Sequence, residues 1–167
     1  KLLADPDVHE KADILLIGDR HLFEMGQTQA GTETEMVVCD ANKGDWTDIS
    51  GLAIHERETI AADGVRLAEV TYANGHSALS NLNCALEMAR DGIIDAITFG
   101  PFNKAALIEA GLGHEDELHH MAEFLGVEGY ISELNTLNGI WTSRVSSHIA
   151  LKDVASYITE HRITEAV

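Results

Sequence analysis

Residues 12–18 (ADILLIG) form an apolar run that stops abruptly at Gly18-Asp19, and this pattern constrains the chain more than any other. A short, continuous apolar run suits a strand buried on both faces that hands a polar loop to its carboxyl end. A helix is expected next, through His21 to Met25, then a loop over the polar, Gly-containing residues 27–35, and a second strand over Met36–Cys39. Residues 40–50 read as a further loop, and residues 52–72 as short β-type runs broken by Gly64 and by charges. Asn74-Gly75 is a turn signal. After it, Ala78, Leu79, Leu82, Ala85, Leu86 and Ala89 make one apolar stripe at helical spacing, which Gly92 ends. Residues 93–99 (IIDAITF) read as another buried strand, leaving through the turn Gly100-Pro101-Phe102-Asn103-Lys104. Short helices follow over residues 105–110, closed by Gly111 and Gly113, and over residues 115–125. The second of these has Leu118, Met121, Ala122 and Leu125 inward and Glu117 and Glu123 outward. Residues 139–147 suit a strand and residues 151–162 a helix.

Strands alternating with helices imply an α/β chain, layered αβα with a largely parallel sheet. Ligands in such folds sit at the carboxyl ends of the strands. No repeat, low-complexity tract or linker divides the chain.

Composition narrows the partners. The 167 residues carry 11 basic and 28 acidic side chains, a net charge of −17, which disfavours nucleic acid and anionic membranes. A local cluster of donors can still hold a small phosphorylated ligand. No run approaches the roughly 20 apolar residues of a membrane span, and the first residues lack a signal-peptide core. Cys39 and Cys84 make no disulfide framework, so a reduced, cytoplasmic setting is expected. With no initiator Met and a helix already under way, the chain reads as beginning inside a larger protein.

Three polar groups fall where the α/β rule puts a site: residues 100–104, 111–117 and 146–153. The first offers backbone donors, an amide and Lys104, a set able to hold an anion, or else an ordinary strand-to-helix turn with a solvated lysine. His114 opens a run with His119 and His120 that superficially suggests zinc hydrolysis. A zincin needs histidines four apart on one helix face, whereas five positions turn the side chains about 140° apart, so His119 and His120 read as a solvated face. His148 follows a strand, where a neutral imidazole suits a first-row metal if other ligands arrive from elsewhere. His76 reads as a turn or helix-start residue and Cys84 as inert core. No GxGxxG, Walker, GxSxG or CxxC motif is present.

Residues 95–107 (DAITFGPFNKAAL), 110–114 (AGLGH) and 147–154 (SHIALKDV, followed by Ile158-Thr159) together resemble the 4-hydroxythreonine-4-phosphate dehydrogenases and their sugar-acid-phosphate relatives. The resemblance implies part of a two-domain fold of the isocitrate/isopropylmalate dehydrogenase type, with residues 1–167 an incomplete portion that shows no internal boundary. It implies that His114, with Glu115 beside it, contacts a phosphorylated hydroxy-acid substrate. His148 is implied as one of three histidines on a divalent metal such as zinc, magnesium or cobalt. Lys104 is the candidate catalytic acid or base, with a phosphate ligand or a plain turn lysine as its other readings. The implied reaction is NAD-dependent oxidation of a CH–OH group followed by loss of carbon dioxide, in a cytoplasmic homodimer that shares its metal sites. Glu115-Asp116-Glu117 replaces the family's Thr-Glu after the histidine, and residues 130–143 replace a Met-rich strand. Both point toward the branch acting on D-threonate or D-erythronate 4-phosphate. The remaining metal histidines and most of the cofactor site are expected outside residues 1–167, so this segment alone is expected to be inactive. A non-catalytic module that binds phosphorylated ligands is the competing reading.

Overall fold

The computed structural model describes residues 2–44, 46–114, 116–146 and 149–167. These fall into two compact units, Lys1–Gly113 and His114–Val167.

The first unit opens with α1 (Pro6–His9), which Asp5 caps by accepting from the Asp7 N–H at 3.1 Å. Then come β1 (Leu15–Gly18), α2 (Arg20–Ala30), β2 (Met36–Cys39) and β3 (Leu52–Glu56). All three strands are parallel in the order β1-β3-β2, with Leu16 and Val38 in register with Ile54 from either side. The middle strand starts fully buried, Leu52 and Ile54 each being 1% exposed. Burying two such side chains contributes about 1.5–3 kcal/mol each. The expected loop over residues 27–35 starts later than its composition suggests. Helix α2 runs on to Ala30 because Gln and Ala are sound helix formers, and it stops at Gly31, whose φ of +62° no side chain opposes.

The next helix, α3 (Tyr72–Arg90), corrects the turn expected at Asn74-Gly75. The Thr71 hydroxyl caps the helix by accepting from the Asn74 N–H at 3.2 Å, so both residues lie in its first turn. Gly75 serves a tertiary purpose instead. A Cβ there would stand 1.9 Å from the carbonyl oxygen of Ala106, in α4 (Lys104–Glu109), which lies across α3. The apolar stripe of α3 buries Leu82, Ala85 and Leu86 as expected, and Gly92 ends the helix with φ +72°. Residues 93–99 form no strand, because no described strand lies alongside to complete a ladder. Their apolar side chains have another use, since Ile93 and Ile94 pack on the core made by Ala41, Cys84 and Met88.

The second unit contains α5 (Glu117–Phe124), β4 (Asn135–Leu137), β5 (Ile140–Thr142), α6 (Val154–Tyr157) and α7 (Glu160–Ala166). The strand expected over residues 139–147 is only the second arm of a hairpin. Asn138 and Gly139 turn it with φ of +48° and +81°, the left-handed pair that a two-residue hairpin loop requires. The helix expected over residues 151–162 is divided, because Ile158 is extended and Thr159 starts a new helix by accepting from the Arg162 N–H at 3.3 Å. In α5, Leu118, Met121 and Ala122 are half-buried as expected. Leu125 falls beyond the last turn and is exposed, and Glu117, expected outward, is half-buried in the first turn, where a carboxylate meets the positive end of the helix. No described helix is long and apolar enough to cross a membrane.

Gly75→Ala must push α4 away from α3 or distort both backbones. It is expected to lower stability by about 2 kcal/mol or more, read from urea unfolding midpoints, while Gly26→Ala, with open space around its Cβ, changes little.

Candidate functional site

In the first unit the carboxyl ends of β1 and β3 carry a buried polar cluster. Asp19, the residue after β1, is 4% exposed. Its carboxylate accepts from the backbone N–H of Thr59 at 2.8 Å and of Ile60 at 3.2 Å, and from the Thr59 hydroxyl. The Thr59 hydroxyl also meets the buried Ser77 hydroxyl of α3 at 2.6 Å. One carboxylate thus joins the end of β1, the chain leaving β3 and the first turns of α3. Residue-level reading missed Asp19, although the Gly18-Asp19 stop was the signal for it. Beside it, Arg57 donates from its backbone N–H to Gly18 O at 3.0 Å and from Nη2 to Ser80 Oγ at 3.2 Å.

Across the sheet, His55 is held as a neutral acceptor. Its Nδ1 takes the Ala41 N–H at 3.4 Å, and burial pushes its pKa below the ordinary imidazole range, aided by Arg57 and opposed by Asp40. Asp40 itself is paired with Lys43 at 2.6 Å, which lowers the carboxyl and raises the amine. Burial raises both thiols, Cys39 and Cys84. At the opposite, amino end of the strands a cavity of about 400 Å³ opens among Asp13, Thr34, Glu35, Trp46 and Leu52, away from the edge where α/β folds hold ligands.

The turn over residues 100–104 is shaped by Phe99 stacked on Phe102, with centroids 4.7 Å apart. Asn103 spends its side chain on capping α4, accepting from the Ala106 N–H at 3.2 Å. Lys104, the first residue of α4, is exposed and has no ion pair or hydrogen bond among the described residues.

In the second unit His114 precedes α5, and its Nε2 is paired with the Glu123 carboxylate. Its ring lies 6.0 Å from that of His120, which in turn sits 6.3 Å from Phe124. His120 departs from the solvated face expected of it. It is half-buried, and burial, reinforced by His114 and opposed by Glu123, lowers its pKa. His119 is exposed as expected and pairs through Nδ1 with Asp116, the cap of α5, at 2.6 Å. Of the two readings of His76 the helix-start one holds, and its ring stacks on Tyr72 at the exposed start of α3. Glu115 and His148 lie outside the described residues. Among the described residues no three His, Cys, Asp or Glu side chains converge on a cation site, so this part of the chain does not by itself fit a bound metal.

This fold is shared with solved dehydrogenases. The structure of a 4-hydroxythreonine-4-phosphate dehydrogenase from Burkholderia phymatum superposes with a TM-score of 0.82 at 23% identity, over 99% of this chain and 49% of that one. The chain accordingly has part of the isocitrate and isopropylmalate dehydrogenase type of fold. The description "Pyridoxal phosphate biosynthetic protein PdxA" matches residues 10–167, and the chain belongs to that family. A Pseudomonas aeruginosa protein with the provisional name 4-hydroxythreonine-4-phosphate dehydrogenase 2 is 41% identical over 100% of this chain and 50% of its own length. A Clostridium botulinum protein provisionally named D-threonate 4-phosphate dehydrogenase is 21% identical over the same shares. The chain therefore spans about half the length of these curated relatives.

Two consequences are measurable. Asp19→Ala strands two backbone donors and a hydroxyl, and is expected to cost about 3 kcal/mol or more in urea unfolding. His55 and His120 both favour the neutral form when folded. As pH falls through about 6.5 the unfolded chain binds protons first, so stability falls with pH and levels off below the folded pKa values. His55→Gln and His120→Gln are each expected to flatten that acid limb in unfolding midpoints taken across it.

Proposed function

We propose that the full-length protein oxidises a CH–OH group of a phosphorylated four-carbon hydroxy acid such as 4-hydroxythreonine 4-phosphate, passing hydride to NAD with loss of carbon dioxide. The observation that carries this reading is the family match across residues 10–167, together with the dehydrogenase names of its relatives. NAD, when bound, supplies the hydride acceptor.

The chain's own residues would hold the substrate. A carboxylate only accepts, so the Nε2–H of His114 is committed to Glu123 and Nδ1 is left for a ligand. A phosphate oxygen can only accept, so at Nδ1 it would take a hydrogen bond donated by the ring. Glu115 is proposed beside His114 on the substrate, and His148 as one ligand of a divalent metal completed from elsewhere in the assembled enzyme. Lys104, a free cation at the start of α4, is proposed as the acid or base of the reaction. A cytoplasmic homodimer is the proposed working form. It is in keeping with Leu137, Ile140 and Trp141 of the hairpin, which stand 71%, 65% and 68% exposed.

A second reading, D-threonate or D-erythronate 4-phosphate as substrate, is favoured by the acidic run Glu115-Asp116-Glu117 and by the D-threonate name among the relatives. The test is reduction of NAD by the full-length protein with a divalent metal and each of the three phosphates. Turnover of 4-hydroxythreonine 4-phosphate supports the first reading and turnover confined to the sugar-acid phosphates the second. Binding without turnover on all three identifies a phosphate-binding module instead. In an active enzyme, His114→Asn is expected to raise KM at least about tenfold, the loss of one charge-assisted contact.

A further inference from the structure

Arg57 is the one described lysine or arginine that is half-buried rather than exposed. Its surroundings are unusual for a half-buried guanidinium in a chain with 28 acidic residues. Arg20, Arg90 and Arg144 each pair with a carboxylate, at 2.8, 3.1 and 2.8 Å. Arg57, among the described residues, pairs with none. It is held by the Ser80 hydroxyl and faces the Cys84 thiol, neutral groups that orient the fork without neutralising it. Withdrawing an uncompensated cation from water is unfavourable, so such a group marks a place that an anion completes.

Its position fits that purpose. Arg57 leaves the carboxyl end of the central strand, where parallel sheets hold their ligands. Across from it, Ser77, Ser80, Asn81 and Cys84 recur at helical spacing and give α3 a polar face distinct from its apolar stripe. Asn81 carries a buried Oδ1 that accepts from nothing, and it lies beside Gly18, whose Cβ position is 3.5 Å from Asn81 Nδ2. His21, in the first turn of α2 after Asp19, has a buried Nε2 that also lacks a partner. An unneutralised fork and an unsatisfied amide oxygen therefore lie at the carboxyl edge of β1 and β3, and an unsatisfied imidazole nitrogen lies in the helix turn that follows β1. The guanidinium calls for an oxyanion and the amide oxygen for a hydroxyl donor.

We infer that the carboxyl edge of β1 and β3 is a binding site for a small oxyanion that also carries a hydroxyl, with Arg57 holding the anion and Asn81 accepting from the hydroxyl. Both a phosphate and a 2-hydroxycarboxylate have that chemistry. The site is independent of the catalytic reading above, since its test reads binding and not turnover.

The test is modification of arginines in the full-length protein with phenylglyoxal, mapped residue by residue by mass spectrometry. Inorganic phosphate, glycolate and acetate are compared with chloride at matched ionic strength. Phosphate or glycolate is expected to slow labelling of Arg57 several-fold and to leave the exposed Arg20 unchanged. Acetate, which lacks the hydroxyl, is expected to protect less. Protection by phosphate alone names a phosphoryl group as the ligand, and protection by glycolate alone a hydroxy-acid carboxylate. Equal slowing of Arg57 and Arg20 by every anion overturns the inference, as does an Arg57 that is never labelled in chloride, since a guanidinium closed off by its own neighbours has no room for a ligand. Calorimetric titration of folded Asn81→Leu with the protecting anion is expected to show several-fold weaker binding, and unchanged affinity removes Asn81 from the site.

Discussion

The Asp19 carboxylate is closed off from water, and three donors converge on it from a segment forty residues further along the chain. A charge in that position is tolerated only because each donor is aimed at it, and each donor is in turn satisfied only by it. The consequence is geometric. The end of β1, the chain leaving β3 and, through Thr59 and Ser77, the start of α3 become one fixed assembly. Every group at the carboxyl edge of the sheet, Arg57 and Asn81 included, takes its position from that assembly. Buried apolar side chains such as Leu52, Ile54 and Leu86 supply the driving force but would not select this arrangement by themselves.

A second constraint sets the turn that carries Lys104. Helix α4 is only six residues long and too short to stand alone, so its place depends on α3. Gly75 gives it that place by letting the Ala106 carbonyl come as near as a bare backbone permits. Asn103 then caps α4 and Lys104 emerges into solvent. A glycine whose role is to admit another helix and a lysine proposed for chemistry are thus consecutive parts of one arrangement.

The charged groups differ in how far they are withdrawn from water. Surface pairs such as Arg20–Glu24 and Lys43–Asp40 are exposed and screened, and contribute little to stability. The informative groups are those partly withdrawn from water: neutral His55 and His120, His114 against Glu123, and Arg57 with no carboxylate at all. These positions all lie within residues 10–167, the part of the chain that matches the PdxA family.

By itself the sequence determined the class. Apolar runs ending in polar stops placed β1 and β2, the stripe from Ala78 to Ala89 placed the body of α3, and the ordered segments around Lys104, His114 and His148 carried the family. These signals are local or periodic, and so are legible in one dimension. Where local signals misled, a contact distant in sequence had overruled them. Asn74-Gly75 lies in the first turns of α3, where the glycine admits α4, and Ile93 and Ile94 cover Ala41, Cys84 and Met88 with no ladder to join. The hairpin turn at Asn138-Gly139 and the break at Ile158 were written in the chain but are short signals, easily absorbed into a longer pattern. Only the tertiary structure could decide that Asp19 is buried and fully bonded while Arg57 is half-buried and unneutralised. Charge is a property of a residue, whereas the partner that satisfies it is a property of the fold.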